Sequence, residues 1–130
     1  MAPHYSEPLF VISVAARLVE MHPQTLRKYE REGLIAPSRT SGNLRLYSDS
    51  DIERLRQVKY LVEQRGLNLA GVQLALELTR DLREMEGQLR AGASEHPTNG
   101  ERSLVASCER ILRMLGFVDE QRRRERMDRS

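Results

Sequence analysis

The stretch from Met21 to Leu34, MHPQTLRKYEREGL, holds the densest set of side chains able to do chemistry. Gln24, Arg27, Lys28 and Arg31 recur at i, i+3, i+4 and i+7, which on a helix places them in one polar, mostly cationic stripe. The chemistry open to such a stripe is recognition. Arg and Lys donate to phosphate oxygens, and Gln or Arg can pair with base edges in a major groove. A solvated surface helix would show the same stripe, so its surroundings must decide between the two.

Bond-making chemistry finds no comparable set. His4, His22 and His96 are scattered and share no metal-ligand spacing with Cys108. No glycine-rich phosphate loop occurs, and the serines lack a plausible histidine partner. Asp49 and Asp51 form a possible acid pair, but carboxylates at a helix start, facing the positive end of its dipole, account for them better. Cys108 falls among apolar residues at helical spacing and reads as a small buried hydrophobe. No catalytic residue, metal site or cofactor is expected, and an enzyme is not.

Composition narrows the partner. The chain has 130 residues, 39% hydrophobic and 31% charged, which suits one compact domain with an appendage. Aromatics make up 5% and Trp is absent, which argues against stacking platforms for single-stranded nucleic acid. The net charge is only +2, so charge placement matters more than the total. From Arg17 to Arg45 there are six Lys or Arg against three Glu, a local excess of the kind that neutralises phosphates. The start, MAPHYSEPL, carries no basic or apolar signal segment, and no apolar run approaches membrane-spanning length. The single Cys cannot form an intrachain disulfide, and a cytoplasmic location is expected.

The elements that must position the stripe can be read from their punctuation. Residues 1–9 read as a loose arm. Phe10-Val11-Ile12 is β-prone, and Ser13 can cap a helix from Val14 to about Val19. Glu20-Met21-His22 then make a tight turn into the basic helix, in which His22 is the N-cap, Pro23 the first helical residue and Gly33 the stop. Two short helices across such a turn form a helix-turn-helix. Leu34–Pro37 is extended, Thr40–Asn43 has turn chemistry and Leu44–Tyr47 alternates. This predicts a small hairpin, a wing, with Arg39 and Arg45 flanking its tip.

Ser48 and Asp51 form a capping box for a third helix with Ile52, Leu55, Val58, Leu61 and Val62 on its apolar face, broken at Arg65-Gly66. Asn68 can cap a fourth helix carrying Leu69, Val72 and Leu76. Leu78, Leu82, Met85 and Leu89 follow at steps of four, three and four, a short a/d seam that needs a partner. Residues 91–103 read as a linker. Leu104, Val105, Cys108, Ile111, Leu112 and Leu115 then mark an amphipathic helix ending near Gly116, before a charged tail.

These residues carry a resemblance. The core TLRKYEREGLI (Thr25–Ile35), the wing pair Arg45 and Tyr47, and the DIERL that follows (Asp51–Leu55) resemble, in order and spacing, the amino-terminal domain of the MerR family of bacterial transcription regulators. NLAGV (Asn68–Val72) after RQVKYL is more narrowly similar to the heat-shock repressor branch of that family. The resemblance covers residues 10–78 without a gap. It implies a mainly α fold: a winged helix-turn-helix DNA-binding domain with a β-hairpin wing, then a short dimerisation helix and a C-terminal amphipathic helix. The domains expected are an arm at 1–9, the head at 10–78 and a dimerisation and regulatory segment at 79–130.

On matching positions the resemblance makes Gln24, Thr25, Arg27 and Lys28 groove-facing, with Arg31 at the margin, and Arg39 and Arg45 the wing's phosphate contacts. Tyr29 and Tyr47 are motif positions that can be DNA-facing or structural. Leu78, Leu82, Met85 and Leu89 become the homodimer seam, although Leu78–Leu89, about 18 Å long, is short for the family. The segment bearing Leu104, Cys108, Ile111, Leu112 and Leu115 is either a contact for the chaperone DnaK acting as co-repressor or a helix folded back on the seam. No sensor cysteines surround the seam and no large effector domain follows, so no small-molecule or metal effector is expected. The implied function is a dimeric repressor of heat-shock genes on inverted repeats of double-stranded DNA. The rivals are a chaperone-binding adaptor that does not bind DNA and an activator of stress genes.

Overall fold

The computed structural model describes residues 7–92 and 95–118. The charged tail and the first part of the arm lie outside the described residues. The elements, in order, are β1 (Pro8–Val11), α1 (Ile12–Leu18), α2 (Pro23–Arg31), β2 (Ser38–Arg39), β3 (Arg45–Ser48), α3 (Asp49–Glu63), α4 (Leu69–Gly92) and α5 (Asn99–Met114). The described residues divide into two compact units, one holding 7–60 and the other the rest to Val118. The fold is mainly helical with one small antiparallel sheet, as the sequence predicts.

In the first unit the sheet has three strands in the order β1-β3-β2. The wing hairpin therefore gains a third strand, and Pro8 and Leu9 belong to that strand rather than to a loose arm. Phe10 pairs with Tyr47 and Val11 with Leu46 across the first ladder. Ser38 pairs with Leu46 and Arg39 with Arg45 across the second. The hairpin strands lie at 38–39 and 45–48, later than expected, because Leu34 and Ile35 are buried as core residues and not paired as a strand.

The first helix also starts earlier than its punctuation suggests. Val11 occupies the N-cap position with no side-chain cap, and Ser13 sits inside α1. Since β1 pairs as far as Val11, the chain passes from strand directly into helix and leaves no loop for a serine cap to close. The far end of α1 closes as a Schellman turn: Met21 N–H donates to the Ala16 carbonyl (2.9 Å) and Glu20 N–H to that of Arg17 (3.2 Å). Glu20 takes the left-handed conformation there, with φ 55°, a position usually given to glycine. Lys59 Nζ donates to the carbonyls of Val19 and Glu20, both at 3.2 Å, so a side chain of α3 ties down this turn.

The third helix opens on the expected reciprocal box, with Asp51 N–H donating to Ser48 Oγ (3.1 Å) and Ser48 N–H to Asp51 Oδ2 (2.9 Å). Its cations largely serve the fold. Arg54 Nε donates to the Leu34 carbonyl (2.6 Å) and Arg56 Nη2 reaches that of Leu18 (3.4 Å). Ala15, Ala16, Val19, Leu26, Tyr47, Ile52, Leu55 and Val58 form the core of this unit.

The second unit is a helical hairpin. Asn68 Oδ1 accepts from Gly71 N–H (2.9 Å) and starts α4, which runs unbroken for 24 residues, about 36 Å. The linker is shorter than predicted, because Thr98 and Glu101 form a full capping box that starts α5 at Asn99. The two helices pack antiparallel: Arg90 pairs with Glu109, and seven residues earlier Arg83 stacks 4.5 Å above the Phe117 ring. Cys108 and Leu112 are buried in this hairpin, opposite the α4 face that carries Thr79 and Glu86. The α5 helix folds back against α4.

Folding back divides the seam. Leu82 and Leu89 are half-buried on the edge next to α5, whereas Leu78 and Met85 are about half exposed, at 45% and 52%. On α5, Leu115 is half-buried, while Leu104 and Ile111 stay exposed. Among the described residues no helix is long and apolar enough to cross a membrane.

Candidate nucleic-acid interface

The basic helix is mounted as its sequence requires. His22 has extended backbone geometry, and its Nδ1 accepts the Gln24 N–H at 3.0 Å, so histidine performs the capping role usually given to Ser or Asp. At the other end Gly33, with φ 78°, and Leu34 close a second Schellman turn onto the carbonyls of Glu30 (3.0 Å) and Tyr29 (2.9 Å). Leu26 is fully buried and Tyr29 nearly so. Both ends and one face of a nine-residue helix are therefore fixed. A helix this short has little stability of its own and depends on that mounting.

The opposite face is free. Gln24, Lys28 and Arg31 are exposed, and Thr25 and Arg27 half-exposed. Lys28 lies 3.8 Å from Glu32, a loose surface pair. No side-chain partner of Gln24, Thr25, Arg27 or Arg31 occurs among the described residues. The structure thus brings the four stripe residues and Thr25 together with donors available to an outside acceptor.

The two tyrosines are not part of that surface. Tyr47 is fully buried, and its hydroxyl has no hydrogen-bond partner among the described residues. Burial pushes the phenol up from its ordinary range, and the nearby Glu30 charge adds to this. The DNA-facing alternative for Tyr47 is therefore corrected: β3 turns the ring into the core. Tyr29, at 9% exposure, lies on the packed side of α2. Because an unpaired buried hydroxyl costs free energy, Tyr47→Phe is expected to leave stability unchanged or to raise it by less than about 1 kcal/mol. Urea unfolding measures this, and a large loss would mean that the hydroxyl has a partner.

The wing arginines show what the sequence reading missed. Arg39 and Arg45 stand directly opposite each other across β2 and β3, a like-charge pair that is unfavourable by itself. Glu30, on α2, lies between them and gives one carboxylate oxygen to each. Arg39 Nη2 donates to Oε1 (2.7 Å) and Arg45 Nε to Oε2 (2.5 Å). Arg39 Nη1 also donates to the Asn43 carbonyl at 3.1 Å, in the tip of the wing, where Asn43 has φ 66°. Partial burial raises the Glu30 pKa, but the hydrogen bonds and charges of Arg45 and Arg39 outweigh it and hold the carboxyl below its usual range.

A carboxyl depressed in the folded state contributes stability above its unfolded pKa and loses it as pH falls through the lower folded value. Stability conferred by the Glu30 link is therefore expected to fade below about pH 5. Glu30→Gln should flatten that acid limb while lowering stability at neutral pH. Thermal melts across the acid range measure this, and parallel curves for parent and variant would contradict it.

With this geometry in place, comparison with known proteins agrees with the sequence pattern. Residues 10–79 match the profile described as MerR HTH family regulatory protein. The chain is 51% identical over 81 residues to the protein named heat shock protein HspR from Streptomyces coelicolor, a match covering 62% of this chain and 54% of that one. It is 41% identical over 71 residues to the transcriptional regulator GlnR of Bacillus cereus, covering 55% and 54%. With the transcriptional regulator YfmP of Bacillus subtilis it shares 35% identity over 111 residues, covering 84% and 77%. The chain thus spans about half the length of the first two relatives and most of the third. GlnR and YfmP are named as helix-turn-helix transcriptional regulators, and the chain belongs to the MerR family of helix-turn-helix transcription regulators.

Proposed function

We propose that this chain binds double-stranded DNA sequence-specifically as a homodimer, each subunit placing α2 in the major groove of one half of an inverted repeat, and that it represses heat-shock genes. The observation carrying the DNA reading is the unpartnered stripe of Gln24, Thr25, Arg27 and Arg31, with Lys28 beside it, on a helix fixed at both ends. Arg27 and Gln24 are the candidates for base edges, and Lys28 and Arg31 for phosphates. The heat-shock assignment rests on the 51% identity to HspR over 81 residues. Dimer formation is assigned to the open edge of the α4 seam, Leu78 and Met85, whose exposed apolar surface has no cover within the hairpin. If DnaK acts as co-repressor, the α5 surface left for it is Leu104 and Ile111.

Selection of bound fragments from the host genome, followed by gel-shift titration at several salt concentrations, tests the reading. The expected result is an inverted repeat near chaperone genes, bound with an affinity whose logarithm falls linearly with the logarithm of salt. Fragments lacking any shared repeat would overturn it. Activation rather than repression would appear as higher transcription from the selected promoter when the protein is added.

A further inference from the structure

Glu30 lies on the DNA-facing helix, yet its carboxylate is directed to the wing. It is the one acidic group joining α2 to β2 and β3 among the described ion pairs. Three features of this arrangement bear on what the wing can do. First, Arg39 and Arg45 are cross-strand neighbours that would repel and splay without a shared anion. Second, Arg45 meets Glu30 through Nε alone, and no partner of its two Nη groups occurs among the described residues. Third, Arg39 is already held at both Nη atoms, by Asn43 and by Glu30. One guanidinium is thus braced, and the other is fixed by one edge with its remaining donors free.

On the DNA-binding reading above, we propose that Glu30 is a positioning residue for phosphate contact. It holds Arg45 by Nε so that the free Nη edge meets a DNA backbone oxygen, and it fixes the wing's register against α2. The carboxylate stays in place when DNA binds. A planar guanidinium held this way reaches a phosphate without first losing side-chain freedom, which is the advantage of its rigid fork. The opposite arrangement, in which Glu30 only occupies the arginines until a phosphate displaces it, predicts opposite signs for the same variants.

The test is a double-mutant cycle on the full chain. Binding to a mixed-sequence DNA duplex is followed by fluorescence anisotropy at several salt concentrations, with circular dichroism confirming that each variant is folded. Glu30→Ala and Arg45→Ala are each expected to weaken binding by about tenfold and to lower the salt slope by about 1. The double variant is expected to match Arg45→Ala, because Glu30 acts through Arg45. Glu30→Gln keeps the side chain's size and should fall between parent and Glu30→Ala, so it carries the test if the alanine variant does not fold. Tighter binding or a steeper slope for either Glu30 variant overturns the proposal in favour of displacement. Effects that multiply in the double variant also overturn it, since they indicate a purely structural role. If the parent itself shows no salt-dependent binding to duplex, the DNA-binding reading fails as well, and that outcome is distinct from the other two.

Discussion

Replacing Leu26 with alanine is expected to lower the unfolding free energy by about 2–5 kcal/mol, the range for emptying a well-packed core site. Leu26 is fully buried beneath α2, and the nine-residue helix above it cannot hold itself together unaided. The variant leaves Gln24, Arg27, Lys28 and Arg31 in the sequence but removes their footing. DNA affinity should therefore fall with the folded fraction, as measured without osmolyte, and recover in a stabilising osmolyte. Urea denaturation gives the free energy, and anisotropy under both conditions gives the recovery. A loss below about 1 kcal/mol would mean that the cavity collapses freely and that Leu26 is not the anchor of the helix.

Arg27→Ala is expected to act in the opposite way, leaving stability nearly unchanged and removing discrimination between sites. Its side chain is half-exposed and makes no side-chain hydrogen bond or ion pair among the described residues, so little of the fold depends on it. If it pairs with a base edge, its loss should cost about 1–3 kcal/mol against the selected operator and much less against random duplex. Lys28→Ala provides the contrast. As a phosphate contact it should weaken all duplexes alike and flatten the salt dependence by about one counterion. Parallel titrations of operator and random duplex separate the two effects. If both variants bind the operator as the parent does, α2 is not the reading helix.

The two substitutions lie side by side in sequence and test different properties of one element. Leu26 tests whether the helix is mounted, and Arg27 whether its outer face reads DNA. Two Schellman turns, a histidine cap and the Lys59 ammonium over the turn carbonyls all serve that mounting. A preorganised reading helix pays little ordering entropy on binding, which favours placing the stripe between two closed turns rather than on a longer free helix.

The sequence by itself determined those features whose hydrogen bonds close within a few residues. His22 with Pro23, Gly33, Ser48 with Asp51 and Asn68 mark helix ends through contacts spanning two to five positions. The i, i+3, i+4 spacing of the stripe follows from helix geometry alone. Thr98 with Glu101 is a capping box of the same local kind, but the Pro and Gly around it make the sequence read as a linker through residue 103.

What only the tertiary structure decided lies at longer separation. Pairing of β1 with β3, nearly forty residues apart, turns an expected arm into a strand and starts α1 without a side-chain cap. Burial of Tyr47 depends on which face of β3 meets the core, and period-two alternation leaves that choice open. The return of α5 covers Leu82 and Leu89 and leaves Leu78 and Met85 open, so a seam that is uniform in sequence acquires two environments. Glu30 is the clearest case. In sequence it is an acidic residue within a basic helix, and its reach to Arg39 and Arg45, nine and fifteen residues away, exists only once the wing folds back against α2. Local rules place a side chain on a face, but only packing decides which distant charge that face will meet.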